Sequence, residues 1–171
     1  MVGRISALWG VAGVTLLLGY AIVRLGRIGL DSFSYDYQWY HWIILAGSIV
    51  FMAYSEGYKG FQKSYSPRLA ARIRHLRDNP RLSHSLLSPL FGMGFFHTTR
   101  RRLIGSYLLL AMVAIFVVIA QQIAQPWRGI LDLGVVVGLT WGLVSILAYT
   151  WRALTVDEFP YSPELPEVAA R

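Results

Sequence analysis

Four apolar blocks decide what this chain can fold into. A run of about 20 residues nearly free of charge is the length an α-helix needs to cross ~30 Å of hydrocarbon at ~1.5 Å per residue. The blocks cover residues 5–23, 39–61, 103–124 and 130–151. Backbone in lipid must satisfy its own hydrogen bonds, and a helix does so within one segment. The expected fold is therefore an all-α integral membrane protein of four transmembrane helices, with a cytoplasmic amphipathic and interfacial helical segment between helices two and three. Only 15% of residues are charged, against roughly 25% in soluble domains, and mean hydropathy is +0.46. With no cysteine, a disulfide-stapled secreted scaffold is excluded.

The first block, Ile5 to Val23, holds no charge and is fenced by Arg4 and Arg24. A signal peptide would also start basic and apolar, but its core is shorter, about 7 to 15 residues, and a small-residue cleavage site would follow. The second block loses its clean apolar run near Tyr54, where Glu56 and Lys59 follow. Aromatic residues mark its two ends as headgroup levels: Trp39, Tyr40 and Trp42 on one side, Tyr54, Tyr58 and Phe61 on the other. Blocks three and four are joined by a short polar turn, Gln125 to Arg128, which predicts an antiparallel hairpin.

Orientation follows from the basic residues, which stay on the cytoplasmic side in short loops. Between Lys59 and Arg102 lie ten of the 16 Lys and Arg residues and a single acid, Asp78. The loop 62–102 is expected inside, and with four spans both termini join it. Only Arg24, Arg27 and Arg128 then fall outside. Arg outnumbers Lys 14 to two, a usage that suits a GC-rich bacterial genome, so a bacterial inner membrane is the expected location.

Within the loop, residues 67–77 (PRLAARIRHLR) repeat Leu69, Ile73 and Leu76 at helical spacing, with Arg68, Arg72, Arg74 and Arg77 assigned to other angles. Ser66 and Pro67 stand where an N-cap and a first helical residue belong, and Asn79 and Pro80 end the run. The expectation is a short basic helix lying in the headgroup plane, its arginines on anionic phospholipids. Arg100, Arg101 and Arg102, at the start of the third span, are assigned the same role. Between them Leu82 to Phe96 is apolar but short and broken by Pro89, Gly92 and Gly94; an interfacial segment is expected, with a re-entrant loop as the alternative.

Helix four carries the most specific packing signal. Gly134, Gly138 and Gly142 recur every four residues on one face, extended by Ser145, and such a stripe lets another helix approach to backbone contact, within the bundle or in a partner. Gly10, Gly13 and Gly19 form a less regular version on helix one.

The candidate polar site is Glu56, Lys59, His41 and Asp132. Glu56 is the one acid inside the second span; counted from Trp39 at ~1.5 Å per residue it falls ~25 Å across, near the cytoplasmic interface, where an ion pair with Lys59 is expected. His41 and Asp132 belong to a looser outer cluster with Asp31, Asp36, Gln121, Gln122, Gln125 and Arg128. His75, His84 and His97 are spaced by nine and 13, which matches no zinc pattern, and no two histidines suit a bis-His haem. No catalytic signature is present, so catalytic residues, metals and cofactors are all expected to be absent.

The tail, residues 157–171, has three prolines and four acids and is expected to be extended. It could fold against the basic loop or engage a partner. Together these features point to a non-catalytic accessory, structural or assembly subunit of a larger membrane complex, docked through the glycine face. Its expected partners are the lipid bilayer, anionic phospholipids, and other membrane subunits or a second copy. The alternative is a small oligomeric channel or transporter using Glu56 or the outer cluster; a membrane enzyme acting on lipid or quinone is a third. The net charge of +7 is accounted for by topology and lipid contact rather than by nucleic acid.

Overall fold

A helix that shows a line of glycines can be approached to backbone distance, and here that line organises the bundle. The computed structural model describes residues 2–80 and 82–165, and in it the glycines lie on α7 (Trp127–Thr155). The preceding elements are α1 (Val2–Asp31), a 3₁₀ turn (Ser32–Ser34), α2 (Trp39–Met52), α3 (Ser66–Asp78), α4 (Leu82–Leu86), α5 (Ser88–Met93) and α6 (Arg100–Gln121). A π-helical stretch, Ala53–Tyr65, joins α2 to α3 without a break. No strand occurs among the described residues. Three helices are long and apolar enough to cross a membrane: α1 with its 3₁₀ turn, α6 and α7.

Gly134 faces Ser48, Gly138 faces Met52 and Glu56, and Gly142 faces the ring of Phe61. The facing residues advance by four, four and then five. An α-helix rotates by about 40° with each four-residue step, so its contact line would leave α7. The i→i+5 turns of a π-helix absorb the extra residue, which keeps Phe61, and then Tyr65, on the packed side. α2 and the π stretch therefore run parallel to α7. α1 lies antiparallel on another side: Gly29 meets Leu133 at one end, and Gly129 meets Ser32. Ala7, Val14, Leu69, Ile73 and Ile146, from α1, α3 and α7, form the core.

The segment 39–61 is helical, but only Trp39–Met52 is α, and it is not among the helices apolar enough to cross, because Glu56, Lys59, Gln62 and Lys63 dilute its second half.

The hairpin of the last two long helices does not form. α7 packs against α1, α2, the π stretch and α3, whereas α6 has one buried residue, Ala120.

α3 is not a surface helix. It continues directly from the π stretch, so Ser66 caps nothing, and Leu69, Ala70, Ala71, Ile73 and Leu76 are buried. Its arginines bond to the chain's own carbonyls. Arg74 Nη1 donates to Val156 O at 2.8 Å and Ala153 O at 3.3 Å, its Nη2 donates to Asp157 O, and Arg77 Nη1 donates to Leu154 O at 2.8 Å. The last turn of a helix leaves carbonyls unpaired and carries negative partial charge. Two guanidiniums of α3 thus cap the end of α7.

Residues 82–96 fold as α4 and α5 on the flank of α1. Ser88 Oγ donates to Ser6 O at 2.6 Å, Trp9 Nε1 to Leu86 O at 3.2 Å, and Pro89 lies on Gly13. Gly19, in contrast, faces open space. Gly94 ends α5 at φ 82°, the left-handed conformation that glycine adopts without steric cost.

Candidate functional site

The candidate polar residues do not converge. Glu56, in the first turn of the π stretch, lies on Gly138: a Cβ on that glycine would stand 3.0 Å from Glu56 Oε2. Oε2 is buried and has no hydrogen-bond partner. Gly138 is the twelfth of the 29 residues of α7, so Glu56 is level with the middle of that helix rather than with its end. No ion pair joins Glu56 to Lys59, whose Nζ stands 4.9 Å over the ring of Tyr54; Lys63 Nζ stands 4.7 Å over Tyr58 in the same way. Ring faces are negative, so each lysine finds its partner along its own helix.

Next to Glu56, Gly57 lies under Trp141, whose Nε1 donates to Gln62 Oε1 at 2.7 Å. Beyond this bond α7 carries an open groove of about 640 Å³, lined by Val136, Val137, Thr140, Val144, Ala148 and Tyr149. Its walls are mostly apolar. Ser145, expected as part of the glycine face, is buried there with its Oγ unpartnered.

His41 and Asp132 sit at the opposite end of the bundle from α3. His41 is buried between Tyr40 (4.3 Å between ring centroids) and Trp127 (4.7 Å), and its Nδ1 accepts the Gln38 N–H at 3.0 Å. That bond closes a capping box at the start of α2. Asp132 is buried with Arg128 Nε 3.6 Å away. Gln125 ties α1 to α7, its Nε2 donating to Ile28 O and its Oε1 accepting from Gly129 N. Asp31, Asp36, Gln121 and Gln122 are exposed. These contacts are those of a helix end held shut.

A polar centre that the sequence reading missed lies on α3. Arg72, expected on lipid headgroups, is 3% exposed. Its Nε donates to Phe91 O at 2.6 Å, Nη1 to Pro163 O at 2.9 Å, and Nη2 to Phe96 O at 2.9 Å and His97 O at 3.2 Å. The guanidinium stacks 4.2 Å from the centre of the Phe91 ring. Burial lowers its pKa to about 10, with Glu164 opposing, so it stays charged at neutral pH. A signal existed: Arg72 is three residues after Leu69 and four before Leu76, which places it on the apolar stripe.

Around this centre His84 packs 4.9 Å from Phe91 and 4.7 Å from His97 between centroids, so residues distant in sequence gather over one ring. The tail folds onto the loop as well. Thr98 Oγ1 and Thr99 N donate to Glu164 O at 3.1 and 3.3 Å, and Arg102 forms a two-point ion pair with the Glu164 carboxylate. Arg68 donates to Ser64 Oγ at 3.0 Å, and burial lowers its pKa. Of the arginines expected at headgroups, Arg100 and Arg101 remain exposed. The last residues of the tail, 166–171, lie outside the described residues. No protein-family model, curated protein or solved structure matches this chain.

Proposed function

We propose that the chain is an integral membrane protein of four spans that serves as a non-catalytic accessory or assembly subunit, and that it joins a larger membrane complex through α6. The observation that carries this reading is α6 itself, a helix with an 18-residue stretch of mean hydropathy 2.7, whose only buried residue is Ala120. Leu108, Met112, Ile115 and Ile119, spaced four, three and four, form one stripe and are 68, 60, 61 and 56% exposed. That is the spacing by which a facing helix is met. The ends of α6 are joined to the rest of the chain by Arg102 on Glu164 and by the short connection to α7. The glycine face is covered by the chain's own helix, which moves docking from α7 to α6.

In this reading α2 and the π stretch form the second span, with Ser48 and Glu56 turned onto α7. The end bearing α3 to α5 faces the cytoplasm of a bacterial cell, with both termini there. The basic loop supports this side, as do the exposed apolar Leu86, Leu87 and Leu90 and the exposed Arg100 and Arg101, residue types that suit an anionic phospholipid surface. A photo-crosslinking residue placed at Leu108 is expected to capture one defined membrane protein, while the same residue at Phe51, on α2, captures none. Capture of lipid alone at Leu108 would overturn the reading.

A further inference from the structure

We propose that Glu56 is a proton-binding site in the interior of the bundle, seated on Gly138 as the neutral acid, and that losing its proton unseats the π stretch from α7. The site rests on α2 and the π stretch being a membrane span, and not on α6 taking a partner. A carboxylate taken out of water needs a cation or donors to replace its hydration, and an uncompensated one takes up a proton instead. Glu56 is half-buried as a residue, and its Oε2 is buried with neither.

The groups packed around it supply no charge. At its level α7 presents Gly138 and Trp141, and the Trp141 N–H is committed to Gln62. The charges of α7 lie away from it: Arg128 and Asp132 face one another near the start, and Arg152 is exposed near the end. On its own helix Lys59 and Lys63 stand over Tyr54 and Tyr58. α3 contributes Arg68, bonded to Ser64, and α2 contributes His41, bonded to the Gln38 backbone.

The local geometry makes this carboxyl part of the packing. The Glu56 Cβ would stand 3.1 Å, and Met52 O 3.2 Å, from a Cβ on Gly138, so the acid is pressed between two helix backbones. A neutral carboxyl fits there. An anion would leave Oε2 against the Gly138 backbone with no compensating donor, and relief requires the helices to part or water to enter. π-helical turns are frequent at functional sites, and an ionisable residue inside a membrane span marks a proton or ion pathway by default.

Dicyclohexylcarbodiimide, an apolar reagent that modifies protonated carboxyls, tests this on the full-length protein in lipid nanodiscs. At about pH 6.5 we expect mass spectrometry to place the adduct on Glu56, with labelling falling about tenfold for each pH unit above the midpoint of its titration. Exposed Asp31, labelled with a water-soluble carbodiimide, supplies the pH profile of the chemistry itself. An infrared carboxylic-acid C=O band should titrate in parallel and be missing from Glu56→Gln. If that variant does not fold, the wild-type adduct map and band titration still decide. An unmodified Glu56 with no protonated band across about pH 6 to 8 would overturn the proposal. Protection by sodium ions at constant pH would also overturn it, since the occupant would then be a metal cation.

Discussion

The ring of Phe61 lies on the backbone of Gly142, so close that a Cβ on that glycine would stand 2.5 Å from it. This contact comes at the five-residue step of the π stretch, where an α-helix would have turned its side chain away. It joins a local peculiarity of winding to the long-range pairing of α7.

Gly142→Ala should therefore destabilise the bundle by about 1–3 kcal/mol, the usual cost of forcing a methyl group into a packed site. Gly19→Ala and Gly105→Ala meet nothing within 4 Å, and should be neutral or gain up to about 1 kcal/mol from helix propensity. Reversible unfolding in mixed micelles measures the order. If Gly142→Ala unfolded with Gly105→Ala, the seating of Phe61 would not be what holds the helices.

Arg72 bonds four carbonyls with one planar fork. Lys keeps the charge but offers a single point of donors, so Arg72→Lys leaves buried acceptors unpaired at about 1–3 kcal/mol each. The loss should appear first as faster hydrogen exchange in residues 96–99 and faster cleavage of residues 156–165. Unchanged exchange in both segments would refute the clasp.

The Arg102–Glu164 pair is half open to solvent, with side chains 47 and 31% exposed. Glu164→Gln should cost less than about 1 kcal/mol, because the tail is still held by the Glu164 and Pro163 carbonyls. Raising salt on the wild type should reproduce most of the effect by screening. A loss several times larger in a thermal scan would mean that the side chain, not the backbone, anchors the tail.

Orientation can be read on a chain that has no native cysteine. A single Cys at exposed Asp31 should react with an impermeant maleimide on intact cells, and one at exposed Arg101 only after permeabilisation. Reversal of the two patterns would invert the topology.

The apolar blocks alone determined that α1, α6 and α7 are long helices suited to a membrane, since that property belongs to each segment's own side chains and length. The four-residue repeat of Gly134, Gly138 and Gly142 likewise announced a close-packed face. What covers the face was decided only in the tertiary structure. It depends on the register of α2 against α7, and the π turns shift that register from Glu56 onward. Glu56 lies level with Gly138, near the middle of α7, through the pairing of α2 with α7, which a count along one segment does not contain. Arg72 shares the stripe of Leu69 and Leu76, yet charge alone suggested a lipid surface; its burial depends on the carbonyls of Phe91, Phe96, His97 and Pro163 arriving from 19 to 91 residues away. α6 shows the converse. Its apolarity is a local fact, but that α7 packs on α1, α3 and the π stretch rather than on α6 is a property of the tertiary structure.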